Sequence, residues 1–139
     1  MTSCRDAKPD FVIDAIDSLN AKCCLIEELC RRGIPFVSSM GAALKTDPSC
    51  IKTACLNQTK NCGLSRLLRR RLKRRGVDLQ SVRCVYSDEQ AVLPGGGICP
   101  AEEKGARNIL GSLPTITAIF GLTVANEAIK QLSGYKTVK

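Results

Sequence analysis

The chain has 139 residues with a formal net charge of +8, and is 44% hydrophobic, 24% charged and 4% aromatic. That is the composition of an ordinary globular protein, long enough for one modest domain with an aliphatic, cysteine-rich core. The absence of histidine and of any CxxC pair among nine cysteines argues against a structural zinc site, and no basic, apolar leader opens the sequence.

In chain order, residues 10–16 ("DFVIDAI") read as a short buried strand, the kind that lies in a parallel sheet covered by helices. Residues 18–32 read as a helix with Ser18 at its start and Leu19, Cys23, Ile26 and Cys30 at helical spacing; Gly33 ends it. "PFVSS" is a second strand, so residues 9–40 make a strand–helix–strand crossover unit. Residues 41–93 follow as a turn-rich connection, a partly exposed strand "CIKTACL", a basic helix over 63–75 and a strand "VRCVYS", the two strands being read as hairpin-like. Residues 94–111 form a Gly/Pro-rich loop expected to be mobile, and 112–134 a final helix opened by Ser112 and Pro114. That last stretch is apolar but interrupted by threonines, Asn126 and Glu127, a buried helix rather than a membrane span. The cysteines read as reduced thiols used mainly for packing, Cys84 within its strand among them.

Two features carry chemistry. Asp17 falls where the first strand runs out and a helix begins, the place where open α/β sheets bind ligands and where Mg²⁺ can join a carboxylate to a nucleotide phosphate. An aspartate there also serves as a plain helix cap. Between Arg66 and Arg75 stand seven basic residues in ten positions, with no acidic residue from Gln58 to Val77; the cluster suits a polyanion such as nucleic acid, or a solvated helix face. With only two parallel strands and eight residues before the first, the α/β domain reads as incomplete, a partial chain or a truncated gene product.

The stretches "PDFVIDAIDSLNAKCCLIEELCRRGIPFVSSMGAA", "KTDPSCIKTACLNQTKNCGLSRLLRRRLKRRG", "VRCVYSDEQ" and "GSLPTITAIFGLTVANEAI" together resemble the C-terminal half of the ThiF-type adenylating domain shared by ubiquitin-activating and molybdopterin- and thiamine-pathway activating enzymes. "DAIDS" is most similar to the tRNA threonylcarbamoyladenosine dehydratase branch. The resemblance implies a Rossmann-like α/β fold, a mixed sheet with flanking helices, whose N-terminal nucleotide-binding half is missing. It implies ATP and Mg²⁺ as cofactors, tRNA as partner, and adenylation followed by cyclisation of N6-threonylcarbamoyladenosine next to the anticodon. It also implies a homodimer, in the cytoplasm or associated with mitochondria.

By the same resemblance Asp17, with Ser18 beside it, contacts nucleotide and metal; Asp14 matches the motif's other acidic residue, with a structural role open to it as well. Cys99, in "PGGGICP", matches a loop cysteine that forms thioesters in related enzymes, or is a bystander. Arg66, Arg69, Arg70, Arg71, Lys73, Arg74 and Arg75 then form a broad tRNA-contacting surface. No GxGxxG loop follows a strand, so the phosphate cradle is absent and the chain alone is expected to be inactive. Activation of a ubiquitin-like or sulfur-carrier protein, and RNA binding without catalysis, are the alternatives.

Overall fold

The computed structural model describes residues 8–92 and 111–135. In chain order these form β1 (Val12–Asp14), α1 (Leu19–Arg32), β2 (Phe36–Ser39), β3 (Ile51–Cys55), α2 (Gly63–Arg74), β4 (Arg83–Ser87) and α3 (Pro114–Ser133). Single 3₁₀ turns at Pro48–Cys50 and Leu56–Gln58 flank β3. The sequence-derived loop over 94–111 and its Cys99 lie outside the described residues, apart from Gly111.

The four strands are ordered β1-β2-β4-β3. β1 runs parallel to β2, from Val12 opposite Phe36 to Asp14 opposite Ser38. β4 runs parallel to β2, and β3 lies antiparallel beside β4, Ile51 opposite Ser87 and Cys55 opposite Arg83. The sheet is therefore mixed, as the resemblance implies, but it holds three parallel strands rather than two. β3 and β4 are not a tight hairpin: α2 lies between them in the chain. Side-chain chemistry explains the order. Cys84, Val85, Tyr86 and Ser87 are all buried, which suits β4 to an interior position, whereas β3 carries exposed Lys52 and takes an edge.

Alternation along the strands divides the core between the two faces. On one face Phe36, Cys84 and Tyr86 pack with Cys23, Ile26 and Leu29 of α1 and Leu68 and Leu72 of α2. On the other, Val37 and Val85 meet Ile116, Phe120 and Val124 of α3. Leu68 and Leu72 are wholly buried, each worth about 2 kcal/mol of apolar transfer, so the basic helix is docked by its leucines. Ser18 occupies the N-cap position of α1 with extended backbone, yet its hydroxyl makes no capping bond. Gly33 closes the helix at φ +63°, a left-handed conformation that glycine adopts without the Cβ clash, and its N–H bonds back to the Cys30 carbonyl.

Candidate functional site at the carboxyl ends of the parallel strands

β1 ends on Asp14, and that carboxylate turns inward. Its Oδ2 accepts hydrogen bonds from Lys22 Nζ at 2.7 Å and Ser38 Oγ at 2.6 Å, and its Oδ1 accepts the Ile16 backbone N–H at 3.0 Å. Lys22 also donates to the Ser39 carbonyl at 2.9 Å. Both side chains of the Lys22–Asp14 pair are fully buried. Asp14 thus stitches β1, β2 and α1 together, the structural role that its sequence motif left open to it. The physical reason is strand alternation: Asp14 shares a face with Val12, toward α1. Lys22 escaped the sequence reading although a signal existed, since it stands among Leu19, Cys23 and Ile26 on the apolar stripe of α1, where a lysine needs a buried partner.

The turn held by the Asp14–Ile16 bond carries Asp17, which is exposed, into a cleft of about 400 Å³. Ile13, Ser39, Gly41, Leu64, Phe120 and Gly121 help line it. It lies at the carboxyl ends of β1 and β2, between α3 and the start of α2, with Ser18 exposed next to Asp17. A larger cleft of about 570 Å³ opens at the opposite ends of the strands; there Glu127 is engaged by Arg83 at 2.6 Å. The smaller cleft is where the rule for open α/β sheets puts a ligand. Among the described residues no group of three or more carboxylates and thiols is placed to hold a metal ion, so a cation at Asp17 would need further oxygen donors from its ligand.

The seven basic residues of the α2 region do not share one surface. Arg69 turns inward, its guanidinium donating to the Thr59 carbonyl at 2.7 Å and to the Thr59 hydroxyl. Arg71 donates to Asn20 Oδ1, and Arg75 to Glu27 Oε2 at 2.6 Å, so both fasten α2 to α1. Arg66, Arg70, Lys73 and Arg74 are exposed on the outer side. Arg69, Arg71 and Arg75 thus also serve contacts within the fold, since spacing alone does not say which face of a helix meets a neighbour.

Cys23, Cys62 and Cys84 are buried and Cys24 is exposed. Burial pushes the Cys84 thiol up to about 12, which leaves almost no thiolate at neutral pH. Cys84 is expected to resist iodoacetamide in the folded chain at pH 8 while Cys24 is alkylated, as read by peptide mass spectrometry; modification of both at similar rates would contradict this packing.

A sequence model of the ThiF family matches residues 3–139. The chain belongs to the ThiF family. Within it, the chain is 35% identical over 137 residues to the tRNA threonylcarbamoyladenosine dehydratase of Escherichia coli, covering 88% of this chain and 51% of that protein. It is 32% identical over 140 residues to tRNA threonylcarbamoyladenosine dehydratase 2 of Saccharomyces cerevisiae, covering 90% of this chain and 31% of the relative. The solved structure of TcdA (CsdL) superposes with a TM-score of 0.78 at 34% identity, over 92% of this chain and 51% of that one. The E. coli enzyme has also been solved with ATP, at a TM-score of 0.73 and 34% identity over 90% of this chain and 48% of that one. This ThiF-family chain therefore spans about half the length of its E. coli relative and about a third of the yeast one.

Proposed function

We propose that this chain forms the C-terminal part of an ATP-dependent tRNA-modifying enzyme that adenylates and cyclises N6-threonylcarbamoyladenosine next to the anticodon, and that it is inactive by itself. The observation that carries the reading is the position of Asp17, exposed in a cleft at the carboxyl ends of two parallel strands, in a family whose E. coli dehydratase has been solved with ATP and with AMP.

The chemistry asks for such a site. A free carboxylate is a poor electrophile. Transfer of AMP onto the threonylcarbamoyl carboxylate, with pyrophosphate leaving, converts one carboxylate oxygen into part of a good leaving group. Attack on that carbonyl from within the same modified side chain closes the ring and expels AMP, so the nucleoside loses the elements of water overall. Asp17 supplies a single exposed carboxylate, the hard oxygen donor that Mg²⁺ takes together with waters and substrate phosphates, and the residues present fit that mode of binding. Mg²⁺ held there would neutralise charge on the phosphates. Ser18, exposed and free of a capping bond, stands beside it as a second polar contact. Asp14 and Lys22 act at one remove, holding the turn that presents Asp17. Cys99 stays a candidate for covalent relay, although cyclisation proceeds without one.

The phosphate cradle is not in this sequence, which has no GxGxxG loop after a strand. Isothermal calorimetry of the chain with ATP and Mg²⁺ is expected to show no binding; micromolar affinity would overturn the claim that it lacks half its site. Labelled AMP transferred by the completed enzyme to a carrier protein and not to tRNA would overturn the choice of substrate.

The four outward basic residues of α2 supply the tRNA contact, since backbone phosphates give most of the sequence-independent affinity. Arg70→Glu with Arg74→Glu is expected to weaken tRNA binding and to lower the slope of log K against log salt by about 1 to 2 units, roughly one for each phosphate that is no longer neutralised. An unchanged slope would reduce this helix to a solubilising face.

A further inference from the structure

We propose that Ser39 of β2 and Thr117 of α3, which both line the Asp17 cleft, recognise the side-chain hydroxyl of the threonylcarbamoyl group and so set the specificity of the site. The identity of the ligand rests on the function proposed above; the donor and the acceptor are features of the fold.

Ser39 is the last residue of β2. Its neighbour Ser38 points toward Asp14 and Lys22, so alternation turns the Ser39 side chain to the other face, where Val37 packs against α3. The backbone there is held from two directions. Lys22 donates to the Ser39 carbonyl at 2.9 Å, and Ser39 stands opposite Val85 in the ladder with β4. The hydroxyl is not held. Its one acceptor among the described residues is the Met40 carbonyl at 3.5 Å, beyond the range of about 2.5–3.0 Å for an O–H···O bond. A fixed backbone thus presents a half-buried O–H with its proton to give.

Thr117 is the complement. It lies in the first turn of α3, and its Oγ1 donates to the Pro114 carbonyl at 3.0 Å. With the proton spent inside the helix, its lone pairs remain to accept. An alcohol both gives and takes a hydrogen bond, so one ligand hydroxyl satisfies Ser39 and Thr117 together. Ile13, Phe120 and Val124 line the same cleft and offer apolar contact to a methyl group. A carbon bearing one hydroxyl and one methyl is the end of the threonyl side chain. That carbon is bonded to the one carrying the carboxylate to be adenylated, which brings the hydroxyl into the cavity that Asp17 lines. A ligand without the hydroxyl would cover Ser39 and leave its donor unpaired, which is how a polar site rejects an analogue that is merely smaller.

Both residues belong to this chain, so the 139-residue protein itself serves for the test. Titration with the free nucleoside N6-threonylcarbamoyladenosine, followed by nuclear magnetic resonance, is expected to give a dissociation constant of about 1 mM. Replacing threonine by 2-aminobutyrate removes only the hydroxyl and should weaken binding about three- to tenfold, the worth of a neutral hydrogen bond. Ser39→Ala combined with Thr117→Val should close that gap to about twofold or less, while Arg74→Glu leaves it as it was. The Ser39→Ala chain keeps the carbonyl that Lys22 uses, and Thr117 is exposed, so the thermal midpoint should hold and separate lost recognition from misfolding. Three results would overturn the inference: no saturation by about 10 mM, equal affinity of the unsubstituted chain for both nucleosides, or a gap that survives the double substitution. Equal weakening of both nucleosides by the substitutions is the third of these, since the two hydroxyls would then serve a part that the ligands share. A preference that behaves as expected, in a chain that transfers no AMP to the nucleoside when completed with the unmatched half of the E. coli relative, would uphold the hydroxyl pair and sink the proposed function instead.

Discussion

Asp14→Ala is expected to lower the unfolding free energy of the chain by about 3–5 kcal/mol, because it strands the Lys22 ammonium without its counter-charge in a site closed to water. The remaining acceptors, the Ser38 hydroxyl and the Ser39 carbonyl, are neutral and do not replace a carboxylate. Since a domain of this kind has only about 5–15 kcal/mol to lose, the variant should sit near the edge of folding. Urea denaturation followed by circular dichroism reads this as a large fall in midpoint at an unchanged slope. The double variant Asp14→Leu with Lys22→Met should recover most of the loss, as apolar replacement of both partners removes the stranded charge. A loss below about 1 kcal/mol in the single variant would mean that water reaches the pair and that it does not organise the Asp17 turn.

Asp17→Ala is the counterpart with the opposite profile. Asp17 is exposed and its carboxylate holds no structural contact among the described residues, so stability should be nearly unchanged, as at surface positions away from special features. In a completed enzyme, made by substituting this chain for the matching half of the E. coli relative, turnover should fall about a hundredfold or more, because a positioned metal ion supplies several kcal/mol of transition-state stabilisation. tRNA affinity should stay as it was, since the proposed tRNA contact is made by α2 and not by Asp17. Wild-type turnover in this variant would remove Asp17 from the site.

These two aspartates stand three residues apart in one motif, one buried and one exposed, which marks how far sequence reasoning reached. The elements were legible because their signals are local: leucine and cysteine spacing for α1 and α2, glycine at the end of α1, short apolar runs for the strands. The helix read over 63–75 is observed at Gly63–Arg74 and the one read over 18–32 at Leu19–Arg32. Strand order was not legible, because the choice between hairpin and crossover for β3 and β4 depends on which strand buries both faces. The direction of Asp14 follows from strand alternation, yet its partner Lys22 arrives from α1 and its second partner Ser38 from β2. The inward turn of Arg69 toward Thr59 and the reach of Arg75 to Glu27 likewise join separate elements. The apolar reading of α3 as a buried helix was half right: Ile116, Phe120 and Val124 are buried, while Leu122, Ile129 and Leu132 are exposed.

The most direct measurement is ATP-dependent loss of water from N6-threonylcarbamoyladenosine in tRNA by the completed enzyme, read by mass spectrometry of the digested nucleosides. The dehydrated, cyclic nucleoside is expected with the wild-type chain in place, no product without ATP, and almost none with Asp17→Ala. Binding of both ATP and tRNA with the nucleoside left unchanged, or water loss that ignores ATP or Asp17, would contradict that expectation.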